Sequence, residues 1–138
     1  KIFFSFTSYD IINNNGNPTN KVISVPEKIT YSQYLKNTII GCLTVIIDTK
    51  NIRIPLMKDI RTSHDMLLWL DILKNEGYAF GLNQVLASYR LSSNSNTKNK
   101  LFAAIDVWHI YRNYERLNLI DSFYNFMHYA FNALKKRI

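Results

Sequence analysis

One run constrains this chain more than any other. Arg61-Thr62-Ser63-His64-Asp65-Met66-Leu67-Leu68-Trp69-Leu70-Asp71-Ile72-Leu73-Lys74 sets a single carboxylate at the head of an otherwise apolar helix. At about 100° per residue, Asp65 shares a face with Trp69 and Ile72, whereas Asp71, Lys74 and Asn75 form the wet side. A carboxylate turned toward apolar surroundings must find a donor, neutralise, or face a cavity. A general base needs such a place. Thr62 and Asp65 also have capping-box spacing, which gives Asp65 a purely structural reading.

The chain has 138 residues, enough for one domain with a modest core. It begins at Lys1 and runs at once into Ile2-Phe3-Phe4-Ser5-Phe6, a strand already under way, as expected of a piece of a longer protein. Its 47% hydrophobic and 20% charged residues are ordinary globular composition. The 14% aromatic share, with nine Tyr and eight Phe, is high and favours a sugar or flat-ligand surface, a membrane interface, or a face stripped of a partner domain. A net charge of +7 favours anionic partners. The basic residues are dispersed apart from Lys135-Lys136-Arg137, and no nucleic-acid motif is present, so no nucleic-acid partner is expected. The lone cysteine, Cys42, excludes an internal disulfide and a Cys-rich metal site; it is expected to be a buried, unreactive thiol. No apolar run reaches the length of a spanning helix.

Turn chemistry at Asn13-Asn14-Asn15-Gly16-Asn17-Pro18 ends the first strand, and a second extended run covers Lys21 to Val25. Tyr31 to Asn37 reads as a short helix with Thr30 as N-cap. The β-branched run Cys42-Leu43-Thr44-Val45-Ile46-Ile47 reads as a buried strand. The Asp65 helix should stop before Gly77, followed by two short strands, Tyr78 to Phe80 and Gln84 to Tyr89. Ser92 to Lys100 is polar and expected to be a loop. Beyond it, Leu101, Ile105, Trp108 and Tyr111 form a stripe at helical spacing, with Arg112, Glu115 and Arg116 solvating the far side. Asn118 and Asp121 resemble a capping box for a last helix with Leu119, Phe123, Met127, Ala130, Phe131 and Leu134 on one face. Tyr124, Phe126 and Tyr129 widen that face. Either this helix packs on two sides, or residues 119–138 lie in a membrane interface with the basic tail among headgroups.

The order Phe4-Ser5-Phe6-Thr7-Ser8-Tyr9, Gly41-Cys42-Leu43-Thr44-Val45, His64-Asp65 before Leu68-Trp69-Leu70, then Leu86-Ala87-Ser88-Tyr89-Arg90 resembles bacterial family 2 glycosyltransferases. The resemblance implies an α+β fold, the acceptor-side part of a GT-A domain over 1–97, then a C-terminal helical hairpin over 98–138. It implies that Asp65 takes the proton from an acceptor sugar hydroxyl, with His64 in the place where the family usually has Glu. Arg90, after Tyr89, would hold the leaving diphosphate, and the Gly41-Cys42 turn would line the acceptor pocket. Trp69, on the Asp65 face, joins the substrate-binding set. The family's metal-binding His two residues past the Arg is Ser92 here, so no metal is expected from this part, a divalent Mg or Mn being expected only in the full enzyme. His109 and His128 are expected to be packing residues. The nucleotide-binding half and the Gln-x-x-Arg-Trp pattern of processive enzymes are absent. The implied function is a non-processive, inverting transfer from a nucleotide sugar to a glycan or lipid-linked acceptor in cell-surface polysaccharide synthesis, at the cytoplasmic face of a membrane, with the isolated piece inactive. The rival reading is a non-enzymatic interaction module, or homo-oligomer, using the aromatic helical surface.

Overall fold

The structure is a computed structural model and describes residues 1–58, 60, 63–91 and 100–136. Thr62, the polar stretch from Ser92, Arg137 of the basic tail and the boundary expected between 97 and 98 fall outside these residues. The described chain is α+β. Strand β1 (Phe4–Ile12) is central, with β2 (Pro18–Ile23) antiparallel on one side and β5 (Tyr78–Arg90) parallel on the other. Next to β5 lies β3 (Lys28–Thr30), and the short β4 (Ile46–Ile47) pairs with the start of β1. The parallel pair forces a long crossover, which holds β3, helix α1 (Tyr31–Lys36), β4 and helix α2 (His64–Glu76). Helices α3 (Lys100–His109) and α4 (Leu119–Lys135) follow, joined by a π-turn at Ile110–Tyr114.

Local chemistry accounts for the ends of these elements. The β1–β2 turn closes as an Asn turn, with Asn13 Oδ1 accepting the N–H groups of Asn15 and Asn17, each at 2.9 Å. Thr30 caps α1, its N–H donating to Gln33 Oε1 at 2.9 Å. Helix α2 ends at Gly77, whose φ of 81° suits glycine and whose N–H reaches Leu73 O. Asn118 caps α4, accepting the Asp121 N–H at 2.8 Å.

The core gathers Phe4 and Phe6 of β1, Tyr34 and Leu35 of α1, and Val107, Ile110 and Tyr111 from the C-terminal helices around α2. Helix α2 buries Met66 to Leu70, Ile72 and Leu73, while Lys74 and Asn75 stay in water as its periodicity requires. Full burial of each large aliphatic side chain is worth about 1.5–3 kcal/mol. The hairpin is tied to α1 by side chains. The last carbonyls of that six-residue helix and the segment after it are taken by the Tyr111 hydroxyl (at Leu35), Asn132 Nδ2 (at Lys36, 3.0 Å) and Lys136 Nζ (at Thr38, 3.1 Å).

Several sequence expectations are corrected. Cys42–Thr44 is a 3₁₀ turn and only Ile46–Ile47 is strand, with Ile46 exposed, because the run lies at the sheet margin and pairs with β1 over two residues alone. Cys42 itself is exposed. The two strands expected after Gly77 are one, β5; the apparent break is a bulge where register jumps from Thr7↔Leu82 to Ser8↔Val85, with Asn83 Oδ1 accepting the buried Ser8 hydroxyl at 2.8 Å. In α3 and the start of the π-turn the buried residues are Val107, Ile110 and Tyr111, while Leu101 and Ile105 face solvent, so the buried face is not the expected stripe. Glu115 is no solvating residue: its side chain is 1% exposed, takes the Tyr31 hydroxyl and pairs with Lys74 Nζ at 2.7 Å.

Helix α4 is turned opposite to its composition. Ser122 and Asn125 are buried, and Asn132 bonds inward, while Leu119, Ile120, Phe123, Met127, Phe131 and Leu134 lie in solvent. Ile120 is 81% exposed and Phe123 60%. His128, expected in packing, is exposed and meets the Tyr124 ring edge at 4.7 Å; His109 is exposed too, with its ring Nδ1 bonded to Asn113.

Candidate active site

Asp65 is the second residue of α2, behind Ser63 as N-cap; the capping box expected from Thr62 lies outside the described residues. Ser63 has φ of 59°, and its side chain makes no capping bond. The Asp65 carboxylate is half-buried and accepts the Met66 N–H at 2.9 Å, in the first helical turn where the peptide dipoles favour negative charge. One side of it faces protein and the other can be reached.

The Gly41–Cys42 turn stands beside it. Asp65 is near enough that its charge, after burial, helps to push up the Cys42 thiol, and it likewise contributes to raising Tyr34, which burial holds well above the ordinary tyrosine value. A thiol pushed up in this way is a poor nucleophile, and Cys42 serves as wall rather than reagent. Gly41 is required by a close approach. A Cβ there would stand 2.8 Å from Cε1 of Tyr9, so the absent side chain lets the Tyr9 ring lie against the turn. Tyr9 in turn faces Tyr89 of β5, with ring centroids 6.2 Å apart. Burial first, and Tyr89 second, raise the Tyr9 hydroxyl, which stays a neutral donor at neutral pH. Asp65, Cys42, Gly41, Tyr9 and Tyr89 thus follow one another along one rim, an acceptor carboxylate at one end and phenolic donors at the other. Such a rim suits a polyhydroxylated ligand that gives and takes hydrogen bonds over an aromatic surface.

The remaining expected residues are placed apart or beside this rim. His64 is exposed at the first position of α2. Trp69 is 3% exposed, tilted on Phe4 at 5.4 Å, and packs in the core. Arg90 alternates to the side of β5 opposite Tyr89, and its guanidinium donates to Asn14 O at 3.1 Å on the β1–β2 turn. Tyr9 and Tyr34 received no role from sequence. Tyr9 was signalled by its place in the Phe4–Tyr9 run, whereas the approach of Tyr34 to Asp65 has no local signal. Among the described residues no three His, Cys, Asp or Glu side chains gather as metal ligands. The divalent cation implied for the full enzyme therefore finds no donor set among them. No helix among the described residues is long and apolar enough to cross a membrane.

No family model matches the chain, and no solved structure does. Curated proteins do match. The chain is 47% identical over 135 residues to TuaG of Bacillus subtilis, named as a glycosyltransferase of teichuronic acid biosynthesis, covering 98% of this chain and 54% of that protein. It is 34% identical over 136 residues to WfgD of Escherichia coli, a UDP-Glc:alpha-D-GlcNAc-diphosphoundecaprenol beta-1,3-glucosyltransferase, covering 98% of this chain and 52% of that protein. With WfaP of Escherichia coli, of the same printed activity, it shares 36% identity over 103 residues, 72% of this chain and 39% of WfaP. The chain thus spans about half the length of TuaG and WfgD. Along almost its whole length, this chain is homologous to part of bacterial glycosyltransferases.

Proposed function

We propose that this chain is the acceptor-side, base-supplying part of an inverting, non-processive family 2 glycosyltransferase of GT-A fold. The observation that carries the reading is the half-exposed Asp65 carboxylate at the head of a buried helix, beside Cys42, with the Gly41–Tyr9–Tyr89 rim continuing from it. In this reading an acceptor hydroxyl docks on the rim and hands its proton to Asp65. Its oxygen attacks the anomeric carbon of a nucleotide sugar from the face opposite the leaving group, the bond from that carbon to the diphosphate oxygen breaks, and the nucleoside diphosphate departs. Two glucosyltransferase relatives are named for acceptors on diphosphoundecaprenol, which supports a lipid-linked glycan as acceptor. Such an acceptor is held at a membrane surface. The outward apolar face of α4, with Lys135 at its end, supports peripheral contact there, at the cytoplasmic side where nucleotide sugars are made. With the rest of the enzyme supplying the nucleotide site, the 138-residue piece alone is inactive.

Nucleoside diphosphate release by the intact parent protein, screened over common nucleotide sugars, tests the reading. Asp65→Asn keeps the size and the Met66 contact, and should lower release about a hundredfold or more while the protein stays folded. Release unchanged in the mutant would return Asp65 to a structural role. The exposed α4 face also favours a second reading, an oligomerisation surface. A mass that rises with concentration, together with indifference to Asp65→Asn, would favour it.

A further inference from the structure

Trp69 follows Asp65 by one turn on the same face of α2 and is 3% exposed. Its indole Nε1 is buried and has no hydrogen-bond partner among the described residues. A buried donor left unpaired is destabilising, and proteins satisfy nearly all such groups. Phenylalanine would lie against the Phe4 ring, 5.4 Å away, with no donor to strand. The resting arrangement therefore gives the N–H no purpose. Because the atom is buried, a dissolved ligand does not reach it, and a partner for it must be a group of the protein.

Helix geometry directs the search for that group. Side chains on an α-helix lean toward its N-terminus and cover the turn before their own Cα, so the Trp69 indole is carried toward the turn that holds Asp65. Residues four apart stand about 5–6 Å from each other at Cβ, within reach of a rotamer change. Asp65 has acceptor capacity to spare: its Oδ1 takes the Met66 N–H at 2.9 Å, whereas an ionised carboxylate offers about four lone-pair sites. Phe4, its ring tilted by 38° to the indole, braces Trp69 from the sheet. We infer that Trp69 is a positioning residue for the base, its indole N–H being the donor that Asp65 takes up when an acceptor hydroxyl engages the outer carboxylate oxygen. The inference rests on the reading of Asp65 as base. With Met66 and Trp69 both donating on the inner side, the outer oxygen is held toward the rim. The stranded donor is then satisfied in the reacting arrangement and not in the resting one, and an interaction gained only there speeds the chemical step.

Nucleoside diphosphate release by the intact parent protein tests this in a cycle of wild type, Trp69→Phe, Asp65→Asn and the double variant. Trp69→Phe keeps a ring against Phe4 and removes the donor. It should lower kcat about tenfold or more, with KM for the nucleotide sugar unchanged. A carboxylate that loses a donor holds its proton to higher pH, so the acid limb of the pH profile should move upward in Trp69→Phe. In the Asp65→Asn background the same substitution should have almost no further effect. Trp69→Met, whose flexible chain fills an irregular space, takes its place if Trp69→Phe does not fold. An equal fold-loss in both backgrounds, an unmoved acid limb, or an unchanged kcat overturns the inference and leaves Trp69 as packing alone. Release unchanged by Asp65→Asn itself removes the base reading, and the inference falls with it; release that drops in Asp65→Asn while Trp69→Phe acts additively removes the inference and spares the reading.

Discussion

Glu115 holds three elements together, and its removal has a calculable effect. The carboxylate sits on the π-turn, receives the Tyr31 hydroxyl of α1 through Oε2, and pairs with Lys74 of α2 at 2.9 Å through Oε1 and 2.7 Å through Oε2. Its side chain is buried, whereas that of Lys74 is 40% exposed. The two bonds therefore differ in weight. A buried charge-assisted hydrogen bond contributes about 1.5–3 kcal/mol. An ion pair whose cation remains in water contributes about 0.2–1 kcal/mol after screening. Glu115→Gln keeps the volume and loses the charge, so the expected loss is about 2 kcal/mol, most of it at Tyr31. Native-state hydrogen exchange in the intact protein reads this locally: amides of α1 should lose about thirtyfold in protection at that energy. A double-mutant cycle apportions it, with Tyr31→Phe coupling to Glu115→Gln more strongly than Lys74→Met does. Coupling in the reverse order, or a total loss under about 0.5 kcal/mol, would refute the assignment of weight to the buried bond. The phenol adds a pH signature. Burial first and the Glu115 bond second raise Tyr31 above the ordinary tyrosine value. A raised pKa means that the folded state holds its proton more tightly, so this contribution is whole below pH 10 and fades as pH climbs beyond it.

Lys136 has the opposite sign: with its folded pKa lowered to about 8 by burial, its cost is present below that pH and is relieved as pH rises toward the ordinary lysine value, so the stability difference between wild type and Lys136→Met should shrink between about pH 8 and 10 by urea titration. Gly81→Ala drives a Cβ to 1.9 Å from Pro26 O, a main-chain atom, and should cost about 3 kcal/mol. Gly77→Ala, at positive φ with nothing within 4 Å, should cost about 1 kcal/mol, and urea midpoints that rank the two in the other order would remove the steric argument. Ile120→Glu with Phe123→Glu should abolish flotation of the intact protein with anionic vesicles without loss of helix content, and equal flotation would sink the membrane assignment.

Elements governed by local chemistry were legible before the fold was seen. Thr30 and Gln33 box one helix, Asn118 caps another, Gly77 ends a third, and the wet side of α2 is the one its spacing gives. Misreadings fell where pairing or packing overrides the local pattern. A β-branched run became a 3₁₀ turn because only two of its residues find a partner strand, and Gly81-Leu82-Asn83 hid a bulge inside one long strand. Helix α4 shows the limit of periodicity. Its apolar arc was plain, but which arc faces inward depended on the Asn132 amide and the Lys136 ammonium meeting main-chain carbonyls about a hundred residues earlier. At the site, Asp65, Gly41, Cys42 and Tyr89 were named from motifs and lie on one rim. Trp69 was named too, yet it is core, since helical spacing gives direction and not depth. Tyr34 reaches Asp65 only through the tertiary fold, which no spacing encodes.

Those distant bonds to α1 also order events in time. A helix of six residues is too short to persist by itself. Its closing contacts come from partners 76, 96 and 98 positions further along the chain. During synthesis at about 5–20 residues per second, the pocket wall from Tyr34 to Cys42 must wait several seconds, unclosed, until the final helix leaves the ribosome. Sheet strands and α2 can assemble ahead of it, whereas this wall is closed only once α4 is in place. Truncation before α4 should therefore loosen the wall from Tyr34 to Cys42 before it harms the sheet.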